Sequence, residues 1–148
     1  MDQRSHIGDW EIDTIIGAHH QGVLLSLVER KSRLCLIARL ANKSAQEVER
    51  TTINLLDSIK EKVHTVTSDN GKEFAKHESI AKNLDAKFFF AHPYASWERG
   101  LNENTNGLIR QYFPKKTQFN HISVQQVQSV IEKLNNRQRK CLGIKKTK

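Results

Sequence analysis

Cysteine is scarce in this sequence. Cys35 and Cys141 are the two present, far apart and without C-x-x-C spacing. Neither a disulfide framework nor a zinc ribbon can be built from them, and a reduced, intracellular setting is expected. Long apolar runs are also missing: none approaches the ~20 residues of a membrane span. Met1-Asp2-Gln3-Arg4 leads into polar sequence rather than the apolar stretch of a signal peptide. The expectation is a soluble, cytoplasmic protein with no membrane partner. There is no Gly-x-x-x-x-Gly-Lys phosphate loop, which argues against ATP use. None of the seven histidines falls into a His-Glu-x-x-His or cysteine-paired zinc set. Acidic residues are in deficit, 16 Asp and Glu against 24 Lys and Arg, for a formal charge of +8. A polyanionic partner suits that balance. No repeat or linker divides the chain, so residues 1–148 are expected as one domain, with 1–7 and 140–148 as flexible ends.

What is present is a regular alternation of patterns. Gly8 to Gly17 alternates as a strand, with Trp10, Ile12, Thr14 and Ile16 on one face and Asp9, Glu11, Asp13 and Ile15 on the other. Val23 to Val28 and Leu34 to Leu40 follow after short polar turns, which predicts an antiparallel meander of three strands. Ser44 with Glu47 is a capping-box pattern, and Val48, Thr52, Leu55, Leu56 and Ile59 recur at helical spacing to Lys62. A strand over Val63 to Thr67, a helix over roughly Lys72 to Leu84 and a strand over Ala86 to Ala91 come next. A turn-rich loop from His92 to Gly100 precedes a helix holding Glu103, and a last helix spans about Ser123 to Arg139. The order β-β-β-α-β-α-β-α-α predicts an α/β fold with a mixed five-stranded sheet flanked by helices.

Three acids stand out. Asp13 lies within the first strand, and Asp69 lies at the carboxyl end of the fourth, the edge where open α/β sheets place ligands. Glu103 lies near the start of a helix, where Asn106, Gly107 and Arg110 share its face and Leu101, Leu108 and Tyr112 can face a core. If the first and fourth strands are neighbours, Asp13 and Asp69 sit side by side with Glu103 over them. Such carboxylates repel one another until a cation neutralises them. Hard oxygen ligands suit Mg²⁺ or Mn²⁺, and two such ions would clamp both sides of a phosphoryl displacement. Asp9 and Glu11, on the face of Asp13, are rival first ligands. Glu73, four residues after Asp69, reads as a cap or salt-bridge partner, or at most as a supporting group behind the ligands. Asn70 and Asn106 can donate to phosphate or orient the carboxylates; Arg110, Lys115 and Lys116 are candidate phosphate contacts. Trp97 is suited to stacking on an unpaired base or to packing, and Arg99 to pairing with Glu98 or touching DNA.

Longer motifs carry a resemblance. Trp10-Glu11-x-Asp13, Ser68-Asp69-Asn70-Gly71-x-Glu73-Phe74 and His92-Pro93-Tyr94-x-Ser96-Trp97-Glu98-Arg99-Gly100-x-Asn102-Glu103-Asn104 look like the IS30-family transposases. The 33 residues between Asp69 and Glu103 fit that family's D-D-E pattern. Asn106 to Pro114 and Asn135 to Gly143 extend the likeness over nearly the whole chain. The resemblance implies an RNase H-like catalytic core shared with retroviral integrases, with Asp13, Asp69 and Glu103 as catalytic, metal-binding triad. It implies divalent-metal-dependent cleavage and strand transfer at transposon ends, with DNA as partner, a homodimer as assembly and a nucleoid-associated location. The rival functions are a purely hydrolytic RNase H-like nuclease and a non-catalytic basic DNA-binding or dimerisation module. The family's N-terminal helix-turn-helix end-binding region is expected to be missing from these residues.

Overall fold

The computed structural model describes residues 7–91 and 105–136. Its strands are β1 (Asp9–Ile16), β2 (Val23–Glu29), β3 (Cys35–Leu40), β4 (Thr65–Ser68) and β5 (Lys87–Phe90). Its helices are α1 (Ala45–Leu56), α2 (His77–Leu84), α3 (residues 105–112) and α4 (Val124–Asn135). The expected order of elements holds. The sheet runs β3-β2-β1-β4-β5. β1, β2 and β3 pair antiparallel, whereas β4 and β5 run parallel to β1.

Both faces of the sheet are covered, because apolar side chains leave β1 and β2 on both sides. Trp10, Ile12, Leu25 and Leu27 pack with Val48 and Leu56 of α1, with Phe74, and with Ile80 and Leu84 of α2. Ile15, Leu24 and Val28 pack against Ile109 and Phe113, Phe119, and Val127 and Ile131 of α4. Each such side chain contributes about 1.5–3 kcal/mol on full burial, so this three-layer arrangement is what holds the middle strand rigid. β1 follows Gly8, whose φ of 138° only glycine adopts readily. A Cβ there would stand 2.1 Å from the His64 ring.

Several boundaries move for local reasons. α1 ends at Leu56 rather than Lys62, and a 3₁₀ stretch over Asp57–Lys62 follows, broken at Ile59 (φ −126°). The predicted helix over Lys72 to Leu84 splits into a 3₁₀ turn, Lys72–Phe74, and α2. Half of the capping box at Ser44 forms: its hydroxyl accepts from Glu47 N–H, but the Ser44 N–H goes to Asn42 Oδ1, and the Glu47 carboxylate turns to Arg50. The complete box occurs at Ser123 and Gln126, starting α4. On α3 and immediately after it the buried positions are Thr105, Ile109 and Phe113; Leu108 and Tyr112, expected to face a core, are 39% and 40% exposed. Burial follows the i, i+4 row that meets β1, which is one position away from the row expected. At the far end α4 docks on the edge strand β3. The Asn135 side chain accepts from Cys35 N–H at 2.7 Å and donates to the Cys35 carbonyl, standing in for a missing strand.

Candidate active site

The parallel pairing of β1 with β4 sets the geometry. Asp9 pairs with Thr65, Trp10 with Val66 and Glu11 with Thr67. The same offset carried two residues further brings Asp13 level with Asp69, at the carboxyl end of β4. Both are half-buried. The conditional expectation that these strands are neighbours is met.

Each carboxylate is oriented by fixed donors. Asp13 Oδ1 accepts from Thr14 N–H at 2.9 Å, and Oδ2 accepts from Asn106 Nδ2 at 3.0 Å. Asn106 is on α3, so that helix crosses the end of β1 with an amide aimed at the acid. Asp69 Oδ1 accepts from Gly71 N–H at 2.9 Å, which closes a tight Asx turn immediately after the strand. The Ser68 hydroxyl donates to the Asp69 carbonyl at 2.8 Å, and Ala91 N–H donates to the Ser68 carbonyl, so β5 buttresses this turn. The rival first ligands serve elsewhere. Glu11 pairs with Arg30 at 3.0 Å, and Asp9 Oδ1 accepts from the Thr65 hydroxyl at 2.7 Å. Glu103, Trp97 and Arg99 lie outside the described residues. Among the described residues no three His, Cys, Asp or Glu side chains form a group that could hold a metal.

Residues 4–96, well over half of the chain, match the family described as the integrase core domain. The chain belongs to that family. This integrase core is 49% identical over 143 residues to the transposase for insertion sequence element IS4351 of Bacteroides fragilis. It is 38% identical over 149 residues to the transposase for insertion sequence element IS30A of Escherichia coli strain K12. The matches cover 97% and 100% of the chain, but the chain spans 44% and 39% of those relatives. The resemblance to IS30-family transposases is thus shown by relatives across the whole sequence. Among solved structures, the catalytic core domain of BIV integrase superposes with a TM-score of 0.71 at 20% identity, covering 88% of this chain and 85% of that one. The likeness is one of fold, and it bears out the RNase H-like expectation. No described helix is long and apolar enough to cross a membrane.

The remaining candidates of this integrase core divide. Asn70 is exposed just beyond Asp69, and Lys115 and Lys116 are exposed in the turn after α3. Arg110 does something sequence reasoning missed: it donates to the Ile16 carbonyl at 3.1 Å, and its guanidinium sits 5.2 Å from the Phe119 ring centroid. Burial lowers its pKa, yet an Arg stays charged across the working pH range. It clips α3 to the end of β1 and so helps hold Asn106 on Asp13. The other omission is the link from Thr14 to Glu73 and Lys43. The salt-bridge reading of Glu73 was right, but a carboxylate bound across three segments leaves no local periodic signal.

Proposed function

We propose that this chain is the catalytic core of a DNA transposase, cutting a phosphodiester at an element's end and joining the freed 3′-hydroxyl to target DNA. The observation that carries the reading is the parallel pairing of β1 with β4, whose register, extended two residues, brings Asp13 level with Asp69, with Asn106 holding Asp13 from α3. Relatives named as transposases across the whole chain support it.

Asp13 and Asp69 offer hard oxygen donors held by backbone and amide N–H groups, a set that fits Mg²⁺ or Mn²⁺. Divalent ions bound there, two in number with DNA present, would neutralise phosphate charge and favour ionisation of the nucleophile. In cutting the nucleophile is water, which displaces the 3′-oxygen; in joining it is that freed 3′-hydroxyl, which displaces a 3′-oxygen of the target. Glu103 is assigned as the third ligand from the sequence, by the D-D-E spacing that it completes with Asp13 and Asp69. Asn106 keeps the Asp13 carboxylate turned toward the neighbouring strand. Arg110 keeps α3 seated, and Lys115, Lys116 and Asn70 contact the DNA backbone; Trp97 and Arg99 are assigned to DNA contact from the sequence. The protein's share of catalysis is positioning and charge, with no covalent intermediate. A homodimer completes the proposal.

The test is product analysis with labelled duplex DNA and Mg²⁺ or Mn²⁺. Joined strands that disappear in Asp13→Asn, Asp69→Asn and Glu103→Gln support the reading. Cut ends without joining would mark a hydrolytic nuclease, and unchanged activity in all three variants would overturn the metal site.

A further inference from the structure

Glu73 is a carboxylate that the proposed chemistry does not use. It is only 8% exposed, four residues after Asp69, in the 3₁₀ turn Lys72–Phe74. Its Oε2 accepts from the Thr14 hydroxyl at 2.9 Å and lies 3.4 Å from Lys43 Nζ. Thr14 is the residue whose N–H holds Asp13, and Lys43 comes from the segment between β3 and α1. On its other side, a Cβ added to Gly71 would stand 2.2 Å from Glu73 Oε1 and 3.0 Å from Asp69 Oδ1. The Glu73 and Asp69 carboxylates thus both border Gly71, and a side chain there would require Glu73 Oε1 to shift. Glu73 joins β1, the Asp69 turn and the start of α1 through one buried group.

We propose that Glu73 is a positioning residue: through Thr14 and Lys43 it holds the Asp69 turn at a fixed height against β1, and so sets the spacing of Asp13 and Asp69. The inference rests on the metal-site reading of those two acids. Glu73 is given a supporting role rather than a ligand's because its Oε2 is already engaged by Thr14 and Lys43. Lys43 balances its charge, so the third acid adds no repulsion to the pair. Removing the hydroxyl of Thr14 or the charge of Glu73 loosens the turn without touching either ligand.

Two measurements on the full chain test this. In the metal-free protein, amide exchange at Gly71, whose N–H is held by Asp69, is read by NMR. Glu73→Gln and Thr14→Val are each expected to speed it roughly five- to tenfold, Thr14→Ser is expected to restore it, and the β1–β2 ladder amides are expected to stay unchanged. A Mn²⁺ titration followed by electron paramagnetic resonance is expected to show affinity about tenfold weaker in the same two variants. Unchanged Gly71 exchange in both variants overturns the proposal, as does equal loosening of the ladder amides. Lost Mn²⁺ affinity in Glu73→Gln with Gly71 exchange unchanged would make Glu73 a ligand instead, also overturning it. If Asp13→Asn and Asp69→Asn leave Mn²⁺ binding intact, the metal-site reading fails, while the exchange data still decide the role of Glu73.

Discussion

At the amino end of β1, opposite Trp10, Glu29 is fully buried, and its oxygens accept from the N–H groups of Gly8, Lys31 and Ser32 at 2.7 to 3.0 Å. Beside it Glu11 is buried against Arg30. At the carboxyl end of the same strand, Asp13 and Asp69 are half-buried and level with each other, and Glu73 stands close by with Lys43 as its cation. The first set of acids is matched by donors from the turn after β2 and from Gly8, just before β1. In the second, Asp13 and Asp69 bring two like charges to the carboxyl ends of neighbouring strands, where their mutual repulsion does not favour folding. Burial and saturation by backbone donors mark a carboxylate that builds the fold; half-burial beside another acid marks one kept for chemistry.

The largest effect that would break this contrast is in catalysis. Asp69→Asn is expected to lower strand cleavage on the order of 10³-fold, a few kcal/mol of lost transition-state stabilisation. Urea denaturation is expected to move by no more than about 1 kcal/mol. Glu29→Ala should do the reverse. Three N–H groups, two of them buried, lose their acceptor, so stability is expected to fall by about 3 kcal/mol in urea melts, while cleavage per folded molecule is retained. A Glu29→Ala protein that melts normally would remove the distinction between the two ends.

Asn106→Ala sharpens the comparison by loosening Asp13 without removing it. Mn²⁺ affinity and cleavage are expected to drop about tenfold, with the salt dependence of DNA binding unchanged. Replacing Lys115 and Lys116 by Ala should instead flatten that dependence by roughly two in slope, with metal affinity untouched. The smallest effect concerns Cys35, whose thiol is pushed up from 9.0 to about 12 by burial. Its neutral form is favoured in the folded state. Its contribution is therefore full below pH 9 and lost as pH rises from 9 toward 12, where the unfolded thiol ionises first. Urea melts across that range, compared with Cys35→Ala, are expected to show the difference.

Much of the fold was legible in the residues. Alternation marked β1, the apolar run marked β2, and Ser44 marked the start of α1, because these signals are local and periodic. Helix ends were less legible: Ile59 continues the apolar spacing of α1, yet the backbone leaves the helix before it. The face of α3 was misjudged by one position, since which row of a helix is buried depends on where β1 presents Ile15. In the site, Asp13 and Asp69 were visible as acids in special places. Asn106 was named with two roles, and the structure pairs it with Asp13. Arg110 was named as a phosphate contact, and the structure turns it onto Ile16 and Phe119. Glu103, Trp97 and Arg99 lie outside the described residues.

By itself the sequence determined which elements form, in what order, and which side chains carry charge that folding does not require. The tertiary structure decided that β4 lies beside β1 at an offset bringing Asp13 to Asp69, and that Thr14, Glu73 and Lys43 meet. Parallel neighbours are joined through a long crossover, so their register is settled by packing of α1 and α2 on the sheet rather than by any periodicity along the chain.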